Sequence, residues 1–253
     1  MKRKALLIGN TTGDLPGVKV DIVRFADFLK SNCGGAWYEP EIDILDNESK
    51  TALLQKINEL KKQLLDYLIV LFSGHGGQPL RQTILEINSV GETIEEIQLR
   101  KIAKRQLNIY DCCRSTIPYT VQKSISMDSS SFPLRESINR VRQRYDELIM
   151  QAIPQQALLY SCSVGQTSVD TADGGIYLRN LLKAAQTFSS GQSFKHVSLA
   201  HKEAIAPTTE YSLKEKLGDQ VPEAILPKCL SSQQLIISMN PSQWSVNRTL
   251  ESW

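Results

Sequence analysis

The strongest constraint in this sequence is an alternation, in which short uninterrupted apolar runs take turns with longer segments whose apolar residues recur every three or four positions. The apolar runs fall at residues 4–8, 41–45, 67–72, 107–110, 157–160 and 234–238. Several are continuous rather than alternating, as parallel strands covered on both faces require. Between them, 20–30 carries Ile22, Val23, Phe25, Ala26 and Leu29, and 50–65 carries Leu53, Leu54, Ile57, Leu60 and Leu64, the period of helices with one buried face. The opening therefore reads β-α-β-α-β. Strands joined by such helices imply right-handed crossovers and an α/β fold with a mainly parallel central sheet flanked by helices. Binding groups in such folds collect beyond the carboxyl ends of the strands, and chemistry is expected there.

Further along, 83–88 followed by Gly91-Glu92-Thr93 predicts a short hairpin, 95–104 a helix, and 175–185 another helix. The stretch 115–132 is rich in Ser and Thr with few large apolar residues, which reads as a long loop, and 133–151 as a polar helix bearing Arg135, Arg140, Arg142 and Arg144. There is no internal repeat. A chain of 253 residues with 41% hydrophobic residues can bury a sizeable core, and a single domain spanning 1–253 is expected. With a net charge of +2 and Lys and Arg spread along the chain, no basic stripe for nucleic acid is present. The opening MKRKALLIGN sets a basic cluster before an apolar run far too short for a signal peptide or membrane span, so a soluble cytoplasmic protein without membrane contact is expected. Five irregularly spaced cysteines argue against a disulfide framework and suit a reducing compartment.

Two of the predicted strands end in unusual residues. The first runs into Ser73-Gly74-His75-Gly76-Gly77 and the second into Asp111-Cys112-Cys113-Arg114-Ser115. If the strands are neighbours, these side chains meet at one edge of the sheet. The glycines around His75 let the backbone turn sharply and approach a substrate, and the Gly76 N–H can point at a developing oxyanion. An imidazole beside a thiol lowers its pKa and later protonates a leaving amine. Each residue alone also has a plain reading, since a lone His after a strand is more often structural and a lone buried Cys is usually inert. A zinc site is disfavoured because adjacent cysteines lack the usual ligand spacing. A phosphate loop is disfavoured because the Lys-Ser/Thr ending is missing.

Taken together, these two motifs in this order resemble the caspase and metacaspase clan of cysteine peptidases: Ser73-Gly74-His75-Gly76 is similar to its histidine motif and Asp111-Cys112-Cys113-Arg114-Ser115 to its cysteine motif. The resemblance extends from Ala5-Leu6-Leu7-Ile8-Gly9 through Gly17-Val18-Lys19-Val20-Asp21 to Tyr160-Ser161-Cys162-Ser163 and Gly218-Asp219-Gln220-Val221-Pro222. It implies a three-layer caspase-like fold, a His75 and Cys113 dyad, and backbone oxyanion donors at Gly76 and Cys113. The caspase pocket for Asp uses Gln and Arg, where this chain has Asp111 and Leu15. Metacaspases that cut after Arg or Lys are nearer, their pocket residues matching Asp21, Ser73 and Asp111. Two positions depart from them: Arg114-Ser115 follows the nucleophile in place of His-Ser-Gly, and Val20 precedes Asp21 in place of Asn.

The resemblance further implies a large-subunit-like region at 1–114, a linker at 115–151 and a small-subunit-like region at 152–253. Arg135, Arg140, Arg142 and Arg144 are then candidate processing sites, beside the plain reading of a solvated helix face. A protein substrate and an activating partner protein are expected, with a stress, defence or cell-death role by analogy. No cofactor is expected; the resemblance leaves calcium dependence open, and no calcium site can be read from the acids. The competing expectation is a catalytically inactive caspase-like interaction module.

Overall fold

The β-α-β-α-β opening is realised by β1 (Arg3–Gly9), α1 (Val18–Lys30), β2 (Ile42–Asp46), α2 (Lys50–Lys62) and β3 (Tyr67–Ser73). The structure is a computed structural model that describes residues 1–11, 15–116 and 135–243, without the side chains of 135–138. Most of the predicted 115–132 loop therefore lies outside the described residues. β4 (Gly76–Gly77), β5 (Ile84–Glu86) and β6 (Thr93–Glu95) form a small antiparallel sheet that contains the predicted hairpin. There follow β7 (Arg105–Asp111), α3 (Arg135–Gln151), β8 (Gln155–Tyr160), α4 (Ile176–Gln186), β9 (Phe194–His196), α5 (Val197–Lys214), β10 (Glu223–Ile225) and β11 (Ile236–Met239).

The central sheet runs β10-β8-β7-β3-β1-β2, parallel throughout except for β10 at its edge. Every residue of β3 and β7 is buried, which explains the unbroken apolar run of β3, while β7 buries Arg105, Gln106, Asn108 and Asp111 among its apolar residues. Alternate side chains enter two cores. On one face Leu7, Leu71 and Ile109 pack against Phe25 of α1, Ile149 of α3 and Leu181 of α4; on the other Leu6, Val70 and Phe72 pack against Leu53, Ile57 and Leu60 of α2 and Leu85 of the hairpin. The result is helix, sheet, helix, the three-layer arrangement that the resemblance implied. No helix among the described residues is long and apolar enough to cross a membrane.

Three elements differ from the sequence reading. The predicted helix at 95–104 is a single 3-10 turn, Glu96–Leu99, because the Leu99 carbonyl is taken by the side chains of Gln106 (2.5 Å) and Asn108 (3.0 Å) and Lys101 adopts a left-handed φ of 55°. The 18-residue α5 was not foreseen: its inward face is Val197, Ala200, His201, Ala204, Thr208 and Ser212, whose small and polar residues hide a helical period, and Pro207 lies inside it. The predicted strand at 234–238 exists as β11, yet it pairs with β9 in a separate two-stranded sheet.

α3 is tied to β1 by an ion pair that is buried on the Arg3 side and half-buried at Asp146. Arg3, 3% exposed, donates to Asp146 Oδ1 at 2.8 Å and to the Gly35 carbonyl at 3.0 Å, and its guanidinium lies 4.4 Å over the Trp37 ring. Burial lowers the Arg3 pKa and raises that of Asp146, so desolvation works against the pair even as each partner favours the other's charge. Asp146→Ala, which removes the nearer of two carboxylates beside Arg3 and leaves Glu41 at 3.6 Å, should destabilise the fold by roughly 1–2 kcal/mol, whereas the double replacement Arg3→Met with Asp146→Leu should recover most of that. Urea unfolding of the two variants measures both.

Candidate active site

Ser73, the last residue of β3, is paired in register with Asp111, the last residue of β7. His75 and Cys113 each follow two residues later, so they leave adjacent parallel strands side by side. The Gly74 N–H extends the ladder one step by donating to the Asp111 carbonyl at 3.3 Å. Both His75 and Cys113 line a cavity of about 870 Å³ over this edge. The structure thus brings together the five side chains that the sequence singled out, because Asp21, Ser73 and Asp111 line the same cavity.

The two neighbouring cysteines are in different environments. Cys112 is 2% exposed and packs beneath Gly76, where a Cβ would come within 2.8 Å of its Sγ. Burial pushes its thiol well above the ordinary range. Cys113 is half-buried and faces the cavity, and its Sγ accepts the Ser168 N–H at 3.3 Å. Burial raises the Cys113 pKa, the Ser168 N–H opposes the rise, and the charge of Asp111 adds to it.

Backbone geometry around the pair is suggestive of an oxyanion site. The Glu86 N–H donates to the His75 carbonyl at 3.0 Å, which makes Gly76 opposite Leu85 the non-hydrogen-bonded pair of that ladder. The Gly76 N–H therefore faces away from β5. Around Cys113, the Cys112 N–H is taken by Ser161 Oγ (3.1 Å) and the Arg114 N–H by the Gln166 carbonyl (3.0 Å).

At the base of the cavity sit two buried carboxylates. Asp21, 1% exposed, accepts the Ser73 hydroxyl at 2.8 Å and the Gly175 N–H at 3.1 Å; Asp111, 6% exposed, accepts the Ser168 hydroxyl at 2.7 Å and the Leu178 N–H at 3.0 Å. Both are held above the ordinary carboxylate range by burial, and Asp21 further by repulsion from Asp111. The backbone passes so close that a Cβ on Gly175 would stand 2.4 Å from Asp111 Oδ2. A third acid, Asp170, was not found from the sequence. It lines the cavity, accepts the Gly17 N–H at 2.9 Å, and is raised to about 6, first by burial, with Asp111 pushing it further up and the Gly17 N–H and His75 pulling it down. Its signal was available: Ser161-Cys162-Ser163 follows β8 as Cys113 follows β7, and an acid in the same loop falls at the same edge.

The candidate processing residues lie on α3, apart from this cavity. Arg135 is its first residue, Arg140 is exposed, Arg142 pairs with Glu41 and stacks 4.1 Å over Tyr38, and Arg144 bonds Glu147 at 2.9 Å. Among the described residues no cluster of three or more His, Cys, Asp or Glu is placed to hold a metal ion.

A parallel sheet that presents a Cys and a His side by side at its carboxyl edge is the architecture of a class of cysteine peptidases. The caspase-domain family (peptidase C14) matches residues 2–227, and the chain belongs to that family. Among solved structures, caspase-1 from Spodoptera frugiperda superposes with a TM-score of 0.57 at 12% identity, covering 88% of this chain and 86% of that one. A protein from Geobacter sulfurreducens gives 0.55 at 16% identity, with 95% and 98% covered. The Drosophila initiator caspase Dronc gives 0.51 at 8% identity, with 88% and 79% covered. These likenesses concern the fold. No curated protein matches the chain by sequence.

Limited treatment with iodoacetamide at pH 8 should modify Cys113 well before Cys112 or Cys162, since both of those are buried with thiols pushed far up, Cys162 to about 12. Peptide mass mapping reads the order, and equal labelling of Cys112 and Cys113 would refute the assignment.

Proposed function

We propose that this protein is a cysteine endopeptidase that cleaves after Arg or Lys, with Cys113 as nucleophile and His75 as its acid and base. The observation that carries the proposal is one cavity lined by His75, Cys113 and five carboxylates, Asp21, Asp111, Asp170, Asp173 and Glu215, against two cations, Arg179 and Lys216. The Cys113 thiolate attacks the scissile carbonyl carbon, and the C=O electron pair moves onto oxygen. The Gly76 and Cys113 N–H groups donate to that oxyanion. As the oxyanion collapses, His75 protonates the departing amine, leaving a thioester on Cys113. A water, losing its proton to His75, then attacks the thioester and releases the new carboxyl terminus and the thiolate.

A substrate side chain entering beside this pair meets negative charge. Asp21 and Asp111 are each held by two protein donors, which keeps them fixed for charge-assisted bonds from a guanidinium or ammonium ion. A basic side chain also relieves the mutual repulsion of the buried acids, whereas an Asp side chain would add to it. The Ser73 hydroxyl donates to Asp21, so its oxygen is oriented to accept from the same cation.

Regulation through the linker or through an activating partner is part of this proposal. A protease reads its substrate as an extended chain, so a cut at Arg140, Arg142 or Arg144 requires α3 to unwind locally. Arg140 is the most exposed of these three, while Arg142 is bound to Glu41 and Tyr38.

Two outcomes test the reading. Fluorogenic peptides ending in Arg or Lys should be turned over by the wild type, not by Cys113→Ala, and by Cys112→Ala within about tenfold of wild type. Preference for Asp-ended peptides would overturn the pocket assignment, and no turnover after linker cleavage would favour an inactive module. The second outcome concerns pH. As pH falls through about 6, Asp170 takes up a proton and the cavity loses a negative charge. The inhibition constant of a small alkylguanidine should therefore rise, roughly tenfold between pH 7 and pH 5, and Asp170→Asn should flatten that rise.

A further inference from the structure

Gln220 lies in the connection between α5 and β10, outside the motifs that carry the chemistry, yet it is completely buried. A buried carboxamide must satisfy both ends, and this one does so entirely on the loop that approaches Cys113. Its Oε1 accepts the Val169 N–H at 3.1 Å, and its Nε2 donates to the Ser161 carbonyl at 3.1 Å and to Ser168 Oγ at 3.2 Å. Ser168 in turn contacts two functional groups. Its N–H meets Cys113 Sγ at 3.3 Å, and its hydroxyl meets Asp111 Oδ1 at 2.7 Å.

The directions of these bonds follow from donor chemistry. An amide N–H can only donate, so Ser168 Oγ accepts from Gln220 and its single proton is left for Asp111. Ser168 cannot reverse this without placing two donors against each other. Gln220 is itself held: the Thr209 hydroxyl of α5 donates to its carbonyl at 2.9 Å, and the next residue, Val221, donates its N–H to Gln166 Oε1 at 2.8 Å. Two residues further on, Glu223 of β10 bonds Arg114, the residue after the nucleophile, at 2.6 Å.

We infer that Gln220 is a positioning residue of the catalytic centre, fixing the Ser168 N–H against the Cys113 sulfur and aiming the Ser168 hydroxyl at Asp111. The inference rests on the reading of Cys113 as nucleophile and extends it to a residue that touches neither substrate nor sulfur. The Ser168 N–H favours the thiolate over the thiol, and the Ser168 hydroxyl favours the carboxylate over the acid. One side chain thus acts on the nucleophile and on the specificity pocket together.

The test compares Gln220→Met, Gln220→Glu and Ser168→Ala with wild type. The pH midpoint of Cys113 alkylation by iodoacetamide is measured first, because it needs no peptidase turnover. Gln220→Met, which keeps the shape and loses every bond, should move the midpoint up by about half a unit or more, and lower kcat by about tenfold. Ser168→Ala keeps the N–H but loses the hydroxyl and with it one of the three Gln220 bonds, so it should move the midpoint less than Gln220→Met does while weakening alkylguanidine inhibition. Gln220→Glu can donate only when protonated, so its defect should deepen as pH rises. Circular dichroism checks folding, and if Gln220→Met does not fold, the Glu variant decides alone. A wild-type midpoint and kcat in a folded Gln220→Met, or in Gln220→Glu at high pH, would overturn the inference. Absence of turnover in the wild type would instead defeat the peptidase reading, with the alkylation shift still judging Gln220.

Discussion

The pairing of Ser73 with Asp111 in the β3–β7 ladder is the constraint on which the rest of the site depends. In a parallel pair every step along one strand is matched by a step along the other. Two motifs that follow their strands at equal distance therefore meet without any further device. Gly9 of β1 is aligned with Ser73 on the other side, and β8 runs beside β7 to Tyr160, so four loops from adjacent strands open over one edge. A slip of one residue between β3 and β7 would send Asp111 to the opposite face and part His75 from Cys113. The complete burial of both strands prevents that slip, since it would turn two cores out of register at once.

Above that edge the arrangement works against its own stability. Asp21 and Asp111 are buried close enough to repel, and both bind protons more tightly in the fold than in the unfolded chain. A carboxyl whose folded pKa is raised makes the fold less stable as pH climbs from its unfolded value through its folded one, so at neutral pH these groups oppose folding. The loops offset this with directed donors from Ser73, Gly175, Ser168 and Leu178. Such donors need close backbone approach, which is why glycine stands at 175. Carboxylates buried against their own repulsion at the foot of a cavity store strain, and strain of this kind gathers at functional sites.

What could be read in the sequence follows from how each contribution is encoded. The β-α-β opening announces itself because its strands are buried on both faces and its first two helices carry large apolar residues. α5 does not, since Ala200, Ala204, Thr208 and Ser212 pack closely without apolar bulk. β10 is a three-residue edge strand whose pattern is no different from that of a loop. His75 and Cys113 stand out because they end apolar runs among glycines and other cysteines. Asp170 lies ten residues beyond its strand, and no periodicity marks its return to the edge. Gln220 is still less visible: a glutamine in a polar connection looks solvated until the fold turns it inward onto Ser161, Ser168 and Val169.

The connection from α5 to β10 consequently does more than close the sheet. Gln220 grips the loop on one side of Cys113, while Glu223 holds Arg114 on the other, with the Arg114 guanidinium stacked 4.1 Å over Tyr160. Cys113 is thus braced between a neutral clasp in the α5–β10 connection and a charged one on the first residue of β10. Edge strands are held by one neighbour only, and β10 pairs with β8 through three residues. A short strand with modest backbone support therefore lies beside Cys113. The bonds from Glu223 to Arg114 and from Gln220 through Ser168 to Cys113 link this edge to the sulfur without passing through the sheet beneath.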